Sequence, residues 1–330
     1  MPLRKNANPT SMDDNYNGAM PQIPSFPEHY SSGYFDGSLA SIGEIDSGDT
    51  LIIETISGGP SDLPDEQSLE VLPVHHDIHA KCQRDGGGHI LTGPISIKNA
   101  KPGDMLEVKI KDIELNFNWG FNRIRPLSGT LPEDFPCYQL TTIPLDAEKM
   151  TATLPWGTEL QLNPFFGVMG TAPPREWGRQ PSTIPRTFGG NLDIKLLTKG
   201  AKLFLPVFVE GGLFSVGDGH GCQGDGEVNG TAIETGLRGT FEICLHKNIN
   251  LSMPRAETET HFISIGIDPS LDNAAKQALR EMIQFICDNS NLSREEAYTL
   301  CSLAADMRVS QTVNIHKGIH LMIPKSALRG

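Results

Sequence analysis

The sequence predicts a mainly β protein, a β-rich α+β fold whose helices are confined to its C-terminal end. Thirty-four glycines and 24 prolines among 330 residues, against 7% aromatic residues, imply many turns between short strands. Several runs alternate apolar and polar side chains, the period of a half-buried strand. Only after Asp268 does the apolar spacing change to the three-to-four-residue step of an amphipathic helix.

Taken in order, the first thirty residues are polar and rich in Pro and Asn, and they predict a flexible tail over 1–30 ahead of a single domain over 31–330. The run "DTLIIETIS" (Asp49 to Ser57) alternates as a strand does. "GPISIKNAKPGDMLEVKIKDIEL" (Gly93 to Leu115) repeats that pattern around Lys101-Pro102-Gly103-Asp104. Pro presets the first turn dihedral and Gly accepts positive φ, so the chain is expected to reverse there between two strands. "GGNLDIKLLTKGAKLFLPVFVEGGLF" (Gly189 to Phe214) has the same plan, strand, turn at Lys199 to Lys202, strand. The two pairs hint at an internal duplication, two intertwined β repeats. Further on, Leu271, Ala275, Leu279, Met282, Ile283 and Ile286 form one helical stripe, with Asp268, Pro269 or Ser270 near its start. Ser293 and Glu296 have capping-box spacing ahead of a second stripe, and the two helices are expected to form a hairpin lying on the sheet.

Bulk charge narrows the partners. Twenty-seven basic against 40 acidic residues give −13, which repels phosphate backbones and anionic lipid, so no nucleic-acid and no membrane partner is expected. No stretch offers the roughly twenty apolar residues of a membrane span, and no secretory h-region is present, so a soluble, cytoplasmic protein is expected. Six cysteines, Cys82, Cys137, Cys222, Cys244, Cys287 and Cys301, include no C-x-x-C pair, which argues against a zinc ribbon or a disulfide framework.

The chemistry concentrates in "GDGHGCQGDGEVNG" (Gly217 to Gly230). "GHGCQG" satisfies G-x-G-x-x-G, but no helical stripe follows to make a dinucleotide site. "DGEVNG" resembles half an EF-hand loop, yet the twelfth position is Gly236 and flanking helices are missing. No Gly-Lys-Ser/Thr follows, which removes the P-loop. What remains is a run of acceptors: Asp218 and His220, Asp225 and Glu227, then Glu234. Residues two apart on an extended chain point the same way, so Asp218 and His220 can converge on one ligand. Glycines between them let the backbone bend and approach closely. A glycine-rich connection with solvated carboxylates is the competing account, but the apolar run "LFLPVFVEGGLF" delivers this segment as a buried strand would.

Upstream, His75, His76, Asp77, His79 and His89 form a second cluster. His75 and His79 have helical metal-site spacing, although Pro73 and the low apolar content argue against a helix there. A lone histidine is more often a surface or satisfied polar residue; four in fifteen positions invite a reason. One of them, His89 or His76, completing a metal site with Asp218 and His220 is the economical reading. Mixed nitrogen and oxygen donors with an open position favour zinc, while calcium or magnesium would want more oxygens. "WGFNRIRP" (Trp119 to Pro126) and "PPREWGRQP" (Pro173 to Pro181) mix Trp and Arg and could clamp a carboxylate product, Arg packed on a ring being the commoner use. "FFGVMGTAPP" is too apolar for a surface loop and is expected to wall the pocket.

These residues, together with "TGPISIKNAKPGDMLEVKI", "FFGVMGTAP" and the C-terminal "AADMRVSQTVN", resemble the acetamidase/formamidase family from about Asp49 to Pro324. The resemblance implies a β-sandwich or barrel with a C-terminal helical hairpin, commonly homo-oligomeric, that splits short aliphatic amides into carboxylate and ammonia, with a divalent metal. It also points to Asp218, His220, Gln223, Asp225, Glu227 and Glu234, to Asn191 and Asp193 in "GGN-x-D", and to His89 before "TGP". Gly221 stands where the family often has Ala, and "HHDIHAKCQRDGGG" is a local elaboration.

The residues suit a hydrolase in which a metal acidifies water and polarises the carbonyl. Asp218, His220 and one of His89 or His76 are the expected ligands; Glu227, then Glu234, is the expected proton shuttle. Gln223 or loop N–H groups would face the oxyanion, and Asn191, Asp193 and Asp225 are expected at the substrate. Glu227 as a direct ligand stays open. The alternatives are a thiol amidase using Cys222 and a non-catalytic module whose loop holds a structural cation.

Overall fold

The structure, a computed structural model, describes residues 22–23, 30–81 and 88–328. The tail expected over 1–30 therefore falls largely outside the described residues, as does Cys82. Within the tail, Gln22–Ile23 runs parallel to Ile52–Ile53 as an edge strand.

Among the described residues strands dominate, as composition predicts, and they build two large sheets. A nine-stranded sheet runs Gln22–Ile23, Thr50–Glu54, Leu237–His246, Met105–Leu115, Lys202–Pro206, Arg255–Glu257, His261–Asp268, Lys317–Pro324, Asp306–Gln311. The second, eleven-stranded sheet is organised around Phe214–His220, which pairs with Phe165–Gly170 on one edge and with Ile90–Ile97 and Glu234–Thr235 on the other. The main core lies between the sheets. Leu106, Val108, Leu203, Leu205 and Phe241 from the first meet Ile95, Ile97, Phe166, Phe214 and Val216 from the second. Burying such side chains stabilises the fold by about 1.5–3 kcal/mol each.

Both strand–turn–strand units cross from one sheet to the other. The turn at Lys101 to Asp104 forms, with Asp104 N–H donating to the Lys101 carbonyl at 3.0 Å. Yet Ile90–Ile97 belongs to the second sheet and Met105–Leu115 to the first. Likewise Gly189–Asn191 joins the second sheet and Lys202–Pro206 the first. The reason is burial: Ile90–Ile97 is buried at all but one position, so it needs cover on both faces and sits inside the sheet, where a hairpin edge would expose it. Lys202–Pro206 pairs antiparallel with Met105–Leu115, and the strand that follows it, Phe214–His220, pairs with Ile90–Ile97. This arrangement carries the glycine-rich stretch to the centre of the second sheet.

At the C-terminal end, helices α2 (Leu271–Asn289) and α3 (Arg294–Ala304) pack on Ile319, Leu321 and Ile323 of the first sheet. The Ser293 capping box forms: Glu296 N–H donates to Ser293 Oγ at 3.2 Å, and Ser293 N–H to Glu296 Oε2 at 2.8 Å. The face of α2 that is buried deepest contains Ala274 and Ala278, beside the expected Met282, Ile283 and Ile286. Gly266 explains the shift, because a Cβ there would strike the Ala274 carbonyl; helix and strand backbones are in direct contact. No helix among the described residues is long and apolar enough to cross a membrane.

A third helix, α1 (Pro73–Lys81), forms where the low apolar content argued against one. Pro73 is its first residue, where a missing N–H costs nothing. The helix buries His75 and Ile78 against Phe117 and Trp119. His75 Nδ1 accepts the Leu72 N–H at 3.1 Å, and burial lowers its pKa to about 4.

The unfolded chain therefore takes up this proton near pH 6.5 and the folded one only near 4. Stability is full above 6.5 and falls as pH drops through that window, by on the order of 3 kcal/mol. Urea denaturation of wild type and His75→Phe should diverge in pH dependence across this window. Identical curves would contradict a buried neutral imidazole.

Candidate active site

Asp218 sits where its strand changes neighbours. Up to Gly217 one edge pairs with Ile90–Ile97, and from Gly219 it pairs with Glu234–Thr235. On the other edge the ladder to Phe165–Gly170 includes Val168↔Gly217 and Phe166↔Gly219 but skips Gly167 and Asp218. Asp218 takes φ +58°, a left-handed value uncommon outside glycine. Its side chain still meets that of His220, with Oδ2 3.2 Å from Nε2. Register supplies two more groups. Glu234 lies opposite His220, its Oε1 3.4 Å from the same nitrogen. His89, one residue before Ile90–Ile97, places Nε2 3.5 Å from Asp218 Oδ2, while its Nδ1 is 3.1 Å from Ser182 Oγ.

Gly167 makes the gathering feasible. A Cβ at this position would lie 2.6 Å from Asp193 Oδ1, 2.7 Å from Asp218 Oδ2 and 2.8 Å from His220 Cε1. Its carbonyl accepts the N–H groups of Leu192 and Asp193 at 3.0 and 3.2 Å, which docks Asp193 beside the cluster. Asn314 Nδ2 donates to Asp193 Oδ2 at 3.1 Å. The Asn191 amide, oriented to satisfy its neighbours, donates to Asp193 Oδ1 at 3.1 Å and accepts from Asn314. Glu227 stands in a turn in which its N–H donates to the Gly224 carbonyl and its carbonyl accepts from Gly230. Asp193 (φ +49°) and Glu227 (φ +45°) share the left-handed backbone of Asp218. Three such residues cost roughly 1–3 kcal/mol each, strain that clusters at functional sites.

Electrostatics divide the acids. Asp193, Asp218, Glu227, Glu234 and His220 are all buried. Desolvation, aided by Asp218, pushes Asp193 up to about 7 and Glu234 up to about 8. Burial and then Asp193 raise Glu227 well above its ordinary value. Asp218 goes the other way, because His89 and His220 overcome its burial and hold it below the usual carboxylate range. Burial opposes charge on His220, but Glu234, Asp218 and Asp193 together raise it well above 6.5. Neighbouring acids driven apart in this way suit acid and base roles.

His89, Asp218, Glu227 and Glu234 of the cluster line a cavity of about 250 Å³, together with Phe121, Arg123, Arg125, Asn191 and Asn314. Two overlapping triads, Asp218–His220–Glu234 and Asp193–His220–Glu227, keep their donor atoms within 4.8 Å. Both His220 ring nitrogens lack a hydrogen-bond partner among the described residues. A buried imidazole without a directed hydrogen bond, in ion-pair reach of two carboxylates, is a donor set that fits a divalent ion.

Three expected residues lie elsewhere. His76 is exposed on α1 and shares a surface groove with Leu63 and His79, since the helix turns position 75 inward and 76 outward. Gln223 Nε2 is committed to the backbone carbonyls of Asp193 (3.0 Å) and Ser310 (3.4 Å), so it fastens the loop and is not free to face an oxyanion. Asp225 pairs with Lys195 at 3.2 Å, away from the residues lining the cavity. Gly167, Asn314 and the Arg123–Asp62 pair escape sequence reasoning. The unusual "FFGVMG" run was the one available signal for Gly167.

A model of the acetamidase/formamidase family matches residues 35–182 and 178–329. The chain is 28% identical over 199 residues to the acetamidase of Mycolicibacterium smegmatis, covering 43% of this chain and 49% of that protein. It is 27% identical over 191 residues to the formamidase of Methylophilus methylotrophus, covering 42% and 47%. These alignments span about half the length of the curated relatives. Over the fold, the crystal structure of an acetamidase from Bacillus halodurans superposes with a TM-score of 0.77 at 32% identity, covering 88% of this chain and 94% of that one. The strand-switch cluster, the cavity above it and these matches together make the chain a member of the acetamidase/formamidase family.

Proposed function

We propose that this chain hydrolyses short linear amides of the formamide and acetamide type. Water oxygen adds to the carbonyl carbon, the C–N bond breaks, and carboxylate and ammonia leave. One observation carries the reading: the buried carboxyl groups of Asp218, Glu227 and Glu234 line a polar cavity in a member of this family, with buried Asp193 and His220 beside them. The reaction needs a base toward water and an acid toward nitrogen. Glu227 suits both in turn, because burial and Asp193 give its carboxylate a high affinity for the proton it must take and then release. Glu234 is the second candidate. Asn191 and Asn314 fix Asp193, which in turn keeps Glu227 basic. Asp218 and His220, with His89 or Glu234 as third donor, would hold a divalent ion, zinc by their mixed donors, with calcium or magnesium as alternatives; Glu234 stands second for the proton where His89 takes that third place. Bound there, it supplies the Lewis acidity that polarises a carbonyl and acidifies water. Self-association into a homo-oligomer and a cytoplasmic location belong to the same proposal.

The thiol route is the weaker reading. Cys222 packs with Ile143, Leu162 and Ile233, and burial raises its pKa despite the nearby His220, which suppresses the thiolate. Cys222→Ser should keep kcat/KM within about threefold of wild type, whereas a nucleophile would lose several orders of magnitude. The function itself is tested by ammonia release across a panel of small amides. Turnover of at least one supports it, and an inert protein with a full complement of metal contradicts it.

A further inference from the structure

The strand Trp119–Ile124 builds one wall of the cavity. Residues two apart share a face, so Phe121 and Arg123 succeed one another along it; Arg125 follows just past its end, and all three line the space. Phe121 is buried and pairs in register with Glu234, Arg123 is largely buried, and Arg125 is exposed. The wall thus climbs from the carboxylates toward the rim. Its two guanidinium groups differ in their surroundings. Arg123 Nη1 lies 2.7 Å from both oxygens of buried Asp62, whose Oδ2 also accepts the Gly59 N–H. That buried ion pair is structural, although Arg123 Nε itself has no hydrogen-bond partner among the described residues. Arg125 has no side-chain hydrogen bond or ion pair among the described residues. Partial desolvation and then the Arg123 charge lower its pKa, against opposing effects of Asp62, Glu234 and Tyr138.

A cavity of about 250 Å³ has room for several groups beyond a carbonyl, since one water occupies about 30 Å³ in the liquid. An amide seated on the carboxylate floor would project its substituent past the Phe121 ring and toward Arg125. We propose that the preferred substrate is an amide bearing a second, anionic group, the monoamide of a short dicarboxylic acid being the simplest, and that Arg125 binds that group. This rests on the amide-hydrolase reading and narrows its substrate class. Guanidinium recognises carboxylate through paired, charge-assisted hydrogen bonds.

The test compares succinamate with butyramide, a neutral amide of similar length, in wild type, Arg125→Ala and Arg125→Lys. Wild type should favour succinamate in kcat/KM by roughly 10- to 100-fold, mostly through KM. Arg125→Ala should abolish that preference and Arg125→Lys keep part of it. No preference in wild type, or a preference that survives in Arg125→Ala, overturns the proposal. So does acetate inhibition that depends on Arg125 as strongly as succinamate KM, which would assign the residue to the nascent product. Should no amide be hydrolysed, the function reading fails separately. Calorimetry with succinate then decides: binding that requires Arg125 supports the anion site, and absent or Arg125-independent binding overturns it.

Discussion

Glu227→Gln is expected to lower kcat on small amides by about 10²- to 10⁴-fold, the range for loss of a positioned proton carrier, while the protein keeps its metal. The substitution preserves shape and removes only the titrating oxygen. It should also stabilise the metal-free protein at neutral pH. Because Glu227 has a raised pKa in the fold, the native state holds this proton more tightly than the unfolded chain. Stability is therefore greatest below the usual pKa near 4.5 and declines as pH rises toward the folded value; glutamine escapes that decline. Lost turnover, retained metal and a higher melting temperature at pH 7 form the expected set. Metal loss alongside activity would instead place Glu227 among the ligands, in the triad with Asp193 and His220. Lower stability with unchanged turnover would support a structural cation.

The second large effect is expected from the smallest change. Gly167→Ala inserts a methyl group into the space held by Asp193 Oδ1, Asp218 Oδ2 and His220 Cε1. The neighbouring backbone is pinned by two hydrogen bonds to the Gly167 carbonyl, so the carboxylates and imidazole must yield. Overpacking of this kind costs about 1–3 kcal/mol, and a displacement near 1 Å at reacting groups costs about 10²-fold in rate. Kinetics and metal content on protein with an intact cooperative melt check it. Near-normal turnover would mean that the cluster does not work in this geometry.

What the sequence reveals here is mostly local. Asp218 and His220, two apart on one strand, do meet, although Asp218 leaves the extended conformation, and the Ser293 box caps α3 because its three-residue spacing is sufficient. What it conceals depends on pairing between distant segments. The turn at Pro102-Gly103 is legible, but which sheet each flanking strand joins depends on partners a hundred residues away. Gly167 reads as one glycine in an apolar run until Asp193 and Asp218 are brought across it. His89 and His76 are equivalent in composition; only the register of Ile90–Ile97 against Phe214–His220 sends one of them to Asp218. Left-handed φ at Asp193, Asp218 and Glu227 runs against local preference, which is why the loop looks like a flexible connection in sequence and is fastened in the fold by Gln223, Gln311 and Thr312.

The most direct measurement follows turnover against bound metal in one preparation. Protein stripped by chelation is titrated with zinc, and ammonia release from its best amide is recorded beside the metal content per chain. The account predicts a rate that rises in proportion to occupancy, saturates at a fixed stoichiometry, and is absent in His220→Ala at every concentration. A stripped protein that releases ammonia at the full rate, or a His220→Ala variant that does so, would contradict it.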